Sequence, residues 1–262
     1  MVPSVLTGLI LPSFQATADD AVAVAVRAEA AGLGGVFCYD HLWPMGQPER
    51  PAIAPFPLLG AIASVTARIC VGTLVARVGL VPNEVLVAEF DALSVLAPGR
   101  VIAGLGTGDR LSEAENEAYG VPFASAGDRR AEMADCARSL RERGVVVWIG
   151  GGGGDAKTVA VAEAEGVVLN MWAADPEQVA RQSARSEVTW AGTPPVAVGG
   201  EPDPDAISAL VAQLAAAGAT WAVFGWPAPI EVLAAAAASA ASPDSGAGDG
   251  TSRPHREPGE QR

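Results

Sequence analysis

The chain has 262 residues, half of them hydrophobic, so it can bury a large core within a single domain. Its formal net charge of −13 argues against a nucleic-acid partner, because a phosphate backbone would be repelled over most of the surface. It contains no unbroken apolar stretch of about 18 residues, and its first segment, MVPSVLTGLILPSFQ, has neither the basic region nor the cleavage site of a signal peptide. We therefore expect a cytoplasmic protein that does not bind membranes.

Strand-like and helical segments alternate along the chain in eight pairs. The pairs repeat roughly every 30 residues, as βα units do. In chain order the strand-like segments are VLTGLIL, GGVFCY, ICVGTLVARV, RVIAGLG, VVVWIG, VVLNMW, EVTWAG and TWAVFGW. The helical segments that follow them are DDAVAVAVRAEAAG, PFPLLGAIASVT, NEVLVAEFDALSVLA, GDRRAEMADCARSLRERG, DAKTVAVAEAEG, DPEQVARQSA, DPDAISALVAQLAAAG and PIEVLAAAAASAA.

This repeat predicts an α/β fold, a (β/α)8 barrel of the TIM type, because an open doubly wound sheet more often stops at five or six strands. The strands carry branched apolar residues with little alternation, which is typical of a parallel sheet covered on both faces. We expect a single domain over residues 1–240. Residues 241–262 are rich in Pro, Gly, Ser and charge and are predicted to form a disordered tail.

Asp40 and His41 directly follow the second predicted strand, at the end where barrel enzymes carry their chemistry. The plainer alternative is that Asp40 turns the following loop and that His41 is a hydrogen-bonded loop residue. The other histidine, His255, lies in the predicted tail, so the barrel lacks the several histidines that a metallohydrolase needs, and no metal site is expected. No G-x-S-x-G elbow marks a serine nucleophile. The remaining chemistry is an acid or base working beside a bound organic cofactor.

The three cysteines, Cys38, Cys70 and Cys136, form no CxxC pair. Their odd number and their spacing disfavour both a disulfide framework and a zinc cluster. We interpret all three as small apolar residues of the core.

Two glycine-rich segments end other predicted strands: GLGTGDRLSE after the fourth, and WIGGGGGDAK after the fifth. Glycines leave the backbone bare, so a flat ring or a phosphate can approach it closely. The helix after Gly154 would offer N–H groups to an anion, and Lys157 would add charge from its first turn. Simple flexible turns would look the same, so the pattern favours a cofactor without requiring one.

Three segments carry a resemblance to a known family: YDHLWP, EFDALSVLAPGRVIAGLGTGD, and VWIGGGG followed by AEAEGVVLN. Together they resemble the bacterial luciferase-like oxidoreductases, and within them the branch that uses a deazaflavin coenzyme. The resemblance covers roughly Val5 to Ser239, with Ala97 in place of the serine that precedes the family's GR pair. It implies a TIM-like barrel that binds coenzyme F420, or alternatively FMN, at its carboxyl face.

The resemblance also implies roles for individual residues. His41 would take a proton from the substrate beside the reactive carbon of the coenzyme, and Asp40 would hold its imidazole or contact the ring. Asp109 falls where relatives carry a glutamate that serves as a second acid. Trp43 would line the substrate pocket, or else pack on the barrel rim. The residues implied to bind the cofactor are Thr73, Leu74, Val75, Gly106, Thr107, Gly108, Gly151, Gly152, Gly153, Lys157 and Asn170. The bulge from Thr73 to Ala76 often contains a cis non-proline peptide in this family.

The chain departs from the family in two places. Full-length relatives are longer and carry an insertion after strand seven, whereas here EVTWAGTPPVAVGG leads almost directly to the next helix. The segment NMWAADP stands where some relatives have a phosphate-binding loop. We therefore expect a barrel with an open rim.

The sequence thus predicts an oxidoreductase that transfers a hydride between coenzyme F420 and a small organic substrate. An FMN-dependent monooxygenase on the same barrel and a non-catalytic flavin- or deazaflavin-binding protein are the alternatives. We also expect a homodimer, because the helix NEVLVAEFDALSVLA carries apolar residues over more than one face.

Overall fold

Eight parallel strands close into a barrel in sequence order, with β8 pairing back to β1, in a computed structural model that describes residues 5–152 and 155–241. The predicted (β/α)8 barrel is confirmed. The strands are Leu6–Ile10 (β1), Gly35–Cys38 (β2), Cys70–Arg77 (β3), Val101–Gly106 (β4), Val146–Gly152 (β5), Val168–Trp172 (β6), Val188–Gly192 (β7) and Trp221–Gly225 (β8). The helices of the described residues are Asp19–Ala31 (α1), Pro55–Val65 (α2), Asn83–Leu96 (α3), Glu113–Ala118 (α4), Ala126–Glu142 (α5), Ala156–Glu165 (α6), Pro176–Ser183 (α7), Pro204–Ala216 (α8) and Ile230–Ala241 (α9).

Aromatic rings fill the inside of the barrel. Trp148 lies between Phe37 and Trp221, with ring centroids 5.2 and 5.3 Å away. Glycine makes room for them, since a Cβ at Gly34 would lie 2.9 Å from the Trp221 ring. A second and larger apolar core joins the outer face of the strands to the surrounding helices. The carboxyl ends of the strands are thereby held on a rigid, packed base.

The strand ends differ from the prediction in two places. β5 continues through Gly152, so three of the glycines expected in a turn belong to a strand paired with β6. The long loop expected after β4 contains a 3-10 helix, Arg110–Ser112, followed by α4. The segment EAENEA that forms α4 has no apolar periodicity, which is why the sequence did not reveal a helix there.

The tail predicted over residues 241–262 lies outside the described residues except for Ala241, which is the last residue of α9. Cys38 and Cys136 are buried as expected, whereas Cys70, the first residue of β3, is only half-buried. Within the described part of the chain, no helix combines the length and apolarity needed to cross a membrane.

Candidate active site

A cavity of about 550 Å³ opens at the carboxyl ends of the strands. Its lining is mainly apolar and aromatic, and several strand-end loops contribute to it. The lining residues are Phe14, Tyr39, His41, Met45, Leu74, Val75, Arg77, Gly106, Thr107, Gly108, Asp109, Ser112, Gly150, Gly151, Asp155, Thr158, Asn170 and Trp172. Many of the residues predicted to form a site therefore meet around one space, as strand-end residues do in such barrels.

His41 is held at the cavity wall by a buried carboxylate that the sequence did not single out. Both oxygens of Glu115 lie 3.1 Å from His41 Nδ1. The Leu42 backbone N–H also donates to Glu115 Oε1, at 3.2 Å. The Glu115 side chain is 3% exposed and that of His41 is 21% exposed. Of these two side chains, only His41 therefore lines the cavity.

Arg77, the last residue of β3, pairs with the same carboxylate. Its terminal nitrogen Nη2 lies 2.7 Å from Glu115 Oε2, as an ion pair whose angles fall outside those of a hydrogen bond. Its other terminal nitrogen donates to the Ser112 carbonyl at 3.3 Å. The Arg77 side chain is only 3% exposed, and a buried charge is tolerated when it is paired in this way.

Asp40 lies behind Arg77 instead of against the imidazole of His41 or on the cavity wall, as the resemblance had implied. Its Oδ2 accepts from the Arg77 backbone N–H at 2.9 Å, and its carbonyl accepts from Arg77 Nε at 3.2 Å. Burial raises the pKa of its carboxyl group, while Arg77 and His41 partly offset this rise. The side chain turns away because the end of β3 supplies the donor that it needs.

Asp109 lines the cavity but also caps the 3-10 helix that follows it. Its carboxylate accepts from the Leu111 N–H at 2.8 Å, and its own N–H donates to the Ser112 hydroxyl at 3.2 Å. The carboxylate is exposed at the mouth of the cavity. It therefore combines a capping contact with a place beside the cavity.

Two of the three residues in the β3 bulge that were predicted to bind the cofactor line the cavity. The pairing of β3 with β4 shifts between Thr73 and Ala76, and the Leu74–Val75 peptide is cis. Leu74 and Val75 line the cavity. Thr73 does not, because its fully buried hydroxyl donates to the Gly104 carbonyl at 2.7 Å.

Glycines at the ends of β4 and β5 make room for Val75. A Cβ at Gly106 would collide with one methyl of Val75, and a Cβ at Gly150 would lie 2.6 Å from the other. Gly108 has a φ of +66°, a conformation that side chains rarely adopt. The glycines thus bring backbone and an apolar side chain together at the cavity floor.

The start of α6 differs from the anion site that was expected there. The Asp155 carboxylate caps the helix, accepting from the N–H groups of Lys157 at 3.4 Å and Thr158 at 3.2 Å. Lys157 is exposed and is not among the residues that line the cavity, whereas Gly151 lines it. Gly152 is the last residue of β5, and Gly153 lies outside the described residues. A carboxylate already occupies two of the donors that a phosphate would need.

Aromatic residues other than the predicted Trp43 form one wall of the cavity. Phe14 stacks on Tyr39 with ring centroids 5.6 Å apart, and Trp172 lies 6.3 Å from Tyr39. Burial raises the pKa of Tyr39 to about 12, so its phenol is neutral at physiological pH. Trp43 is half-buried in the loop and does not line the cavity. Tyr39 and Trp172 end two predicted strands, a position from which the sequence could have identified them.

Asn170 supplies a polar group on the β6 side of the cavity. It is 2% exposed, and its amide nitrogen donates to the Thr189 hydroxyl at 3.0 Å. This contact fixes the amide, which lines the cavity as the resemblance implied. No group of three or more metal-binding side chains occurs within residues 5–152 and 155–241.

The sequence model of the luciferase-like monooxygenase family matches residues 7–146. The chain belongs to this family. The end of β2 with His41, β3 with its bulge and Arg77, and α4 with Glu115 all lie within the matched luciferase-like region.

Curated relatives include F420-dependent dehydrogenases. An F420-dependent glucose-6-phosphate dehydrogenase of Beutenbergia cavernae is 36% identical over 132 residues, which are 50% of this chain and 37% of that enzyme. An F420-dependent hydroxymycolic acid dehydrogenase of Mycobacterium tuberculosis is 38% identical over 107 residues, 40% of this chain and 30% of that enzyme. The matches therefore span only 37% and 30% of the length of these two relatives.

A solved structure shares the barrel fold over most of its length. It is an F420-dependent secondary alcohol dehydrogenase in complex with an F420–acetone adduct, with a TM-score of 0.73 and 16% identity. The alignment covers 89% of this chain and 98% of that chain. At 16% identity, this similarity shows that the two proteins share a fold.

Proposed function

We propose that this protein is an oxidoreductase that transfers a hydride between coenzyme F420 and a small organic substrate. The observation that carries the proposal is the imidazole of His41, fixed by Glu115 at the wall of an apolar cavity at the carboxyl end of the barrel. The names of the curated relatives support the choice of coenzyme.

The cavity residues fit the ring system of a deazaflavin. Leu74 and Val75 give an apolar floor, the glycine backbone at the ends of β4 and β5 gives a flat wall, and the Asn170 amide can hydrogen-bond a ring edge. The anionic chain of the coenzyme has fewer free N–H donors available at the start of α6, because Asp155 caps that helix. The turn at Thr107 and Gly108 lines the cavity and offers backbone groups to that chain.

The residues of the chain handle protons and exclude water, while the bound deazaflavin supplies the site that accepts or gives a hydride. His41 exchanges a proton with the oxygen or nitrogen of the substrate, a role typically worth about 10²–10⁴ in rate. Phe14, Tyr39 and Trp172 shield the reacting atoms from water.

An FMN-dependent monooxygenase is the second candidate, because the family itself is described as luciferase-like monooxygenases. A carrier that binds the coenzyme without turnover is the third. Absorbance of the purified protein, followed by titration with F420 and with FMN, separates them. Uptake of F420 with turnover of an alcohol or carbonyl substrate supports our proposal, retained FMN supports the monooxygenase, and tight binding without turnover over a broad substrate panel supports the carrier.

The His41→Asn variant tests the role of the imidazole. We expect coenzyme affinity to stay close to that of the parent, because Asn can still hydrogen-bond, and turnover to fall by about 10²-fold or more. Unchanged turnover per bound coenzyme, on a substrate that the parent converts, would contradict the proposal. A loss of folded protein without a specific loss of turnover would support a packing role instead.

We further infer a homodimer and a cytoplasmic location. Val65, Val95 and Leu96 are exposed apolar residues at neighbouring helix ends, which supports self-association. The three cysteines are free, which fits a reducing compartment.

A further inference from the structure

α4 places the buried carboxylate of Glu115 where groups from three residues converge on it. His41 Nδ1 lies 3.1 Å from both oxygens, the Leu42 N–H donates to Oε1, and the Arg77 guanidinium faces Oε2 at 2.7 Å. Such a carboxylate has little freedom to rotate, because each oxygen is engaged by a group from a different strand end.

The chemistry of this contact decides which nitrogen of His41 carries the proton. An ionised carboxylate has lone pairs only and cannot donate a hydrogen bond. A neutral imidazole beside it must therefore carry its hydrogen on Nδ1, which leaves a lone pair on Nε2. We propose that Glu115 is a positioning residue that holds neutral His41 in the Nδ1–H tautomer and so presents Nε2 to the cavity as a proton acceptor.

The surrounding contacts keep the pair in this arrangement. Asp40 accepts a hydrogen bond from the Arg77 backbone, and the Arg77 side chain pairs with Glu115, so the ends of β2 and β3 and helix α4 form one network. On the cavity side the imidazole lies beside two aromatic rings, with its centroid 6.4 Å from that of Phe14 and 6.2 Å from that of Tyr39. Nδ1 therefore stays on Glu115 while the ring lines the cavity.

The catalytic consequence rests on the proposed function. With an alcohol as substrate, Nε2 would accept the hydroxyl proton, and a deazaflavin bound in the cavity would supply the acceptor for the hydride of the carbinol carbon, so that the alcohol would be oxidised to a carbonyl compound and the coenzyme reduced. The opposite tautomer would present a donor to the hydroxyl and could not take its proton. Glu115 thus affects turnover through His41 without contacting the substrate.

Nitrogen NMR of the full chain with ¹⁵N-labelled histidine tests the tautomer directly. At a mildly alkaline pH we expect neutral His41 to show a protonated Nδ1 and an unprotonated Nε2. The other histidine, His255, is an internal reference and is assigned with a His255→Gln variant. A dominant Nε2–H form, an even mixture of tautomers or a persistent imidazolium would each overturn the proposal.

The Glu115→Gln variant tests the cause. Arg77 should attract the carboxamide oxygen, which turns the amide N–H₂ towards Nδ1 and favours the Nε2–H tautomer of His41. We expect that shift in the NMR spectrum together with a fall in kcat of about 10²-fold and little change in the coenzyme Kd. Glu117→Gln is the matched control, because it removes an exposed carboxylate from the same helix and should leave both readouts unchanged.

The two readouts separate this inference from the proposed function. Nδ1–H in the parent protein without any F420-dependent turnover would contradict the function while leaving the role of Glu115 in selecting the tautomer intact. Turnover by a parent protein that shows the Nε2–H form would contradict this inference alone. If Glu115→Gln does not fold, the spectrum of the parent protein still decides which tautomer His41 adopts. If the variant folds and both the tautomer of His41 and kcat are unchanged, the proposed role of Glu115 is overturned.

Discussion

Asp40 is a carboxyl group for which ionisation is costly in the folded protein. Burial raises its pKa above the ordinary value of 3.8, and the contacts with Arg77 offset only part of this rise. A group with a raised folded pKa stabilises the fold below its unfolded pKa and loses that contribution as the pH rises through the folded value. Asp40 is therefore expected to make the protein less stable as the pH rises from about 4 towards neutrality.

The Asp40→Asn variant removes this titration. Its carbonyl oxygen can still accept from the Arg77 N–H, so we expect the variant to gain stability relative to the parent as the pH rises over the same range. Urea unfolding at several pH values measures the difference. Asp135→Asn makes the same change in net charge on the surface of α5, where the carboxylate is 67% exposed, and serves as the control. A parent–variant difference that is flat, or that grows in favour of Asp40 with pH, would rule out this account.

At the scale of single residues, the sequence predicted His41 from its place after a strand but did not predict its partner. Glu115 lies 74 residues further along the chain, in a segment with three glutamates among six residues. Nothing local distinguishes the buried glutamate from its exposed neighbours. Only the packing of α4 against the ends of β2 and β3 makes that distinction, and long-range packing of this kind leaves no periodic signal in one sequence.

At the scale of elements, the ends of β3, β4 and β5 depend on one another through Val75. The two methyl groups of Val75 occupy the spaces where side chains at Gly106 and Gly150 would stand. A valine is stiff at χ1, so it cannot easily turn away from an added Cβ. The glycines have a packing role here beside any role in binding a cofactor.

Gly150→Ala should therefore destabilise the fold by about 1–3 kcal/mol, the usual cost of overpacking. The double variant Val75→Ala with Gly150→Ala should recover part of the loss, because the methyl that clashes is gone and the Val75 Cβ position lies 3.8 Å away. Urea unfolding of the parent, both single variants and the double variant gives the coupling free energy, which we expect to be about 1 kcal/mol or more. If the effects of the two single variants are additive, contact with Val75 is not the reason why position 150 requires glycine.

The elements themselves were largely predictable. Continuous apolar runs bounded by glycine or polar residues gave all eight strands, because a strand buried on both faces must be apolar throughout. The extension of β5 through Gly152 was not predictable, since glycine runs read as turns until a neighbouring strand pairs with them. The cap at α6 was also missed, although Asp155 stands just before the helix and aspartate is a strong N-cap residue.

At the scale of the whole molecule, apolar side chains are exposed at the C-terminal ends of α2 and α3. Val65 is 52% exposed, Val95 80% and Leu96 57%. The two helices meet there, because a Cβ at Gly60 on α2 would contact Leu96 at 3.6 Å. Exposed apolar residues that cluster in this way mark interaction surfaces more often than residues scattered singly.

If this surface joins two copies of the chain, replacing Val95 and Leu96 together by aspartate should convert a dimer into a monomer. Buried charge without a partner is costly at an interface, whereas the same substitutions on a solvated surface usually change stability by no more than about 0.5 kcal/mol. Sedimentation velocity at high micromolar concentration measures the mass, and urea unfolding checks that the variant is folded. Val26→Asp is the control, because Val26 is a 43% exposed valine on a different helix, α1. If the parent protein sediments as a monomer, the inferred homodimer is wrong. If the doubly substituted variant is still a dimer, the interface lies elsewhere on the barrel.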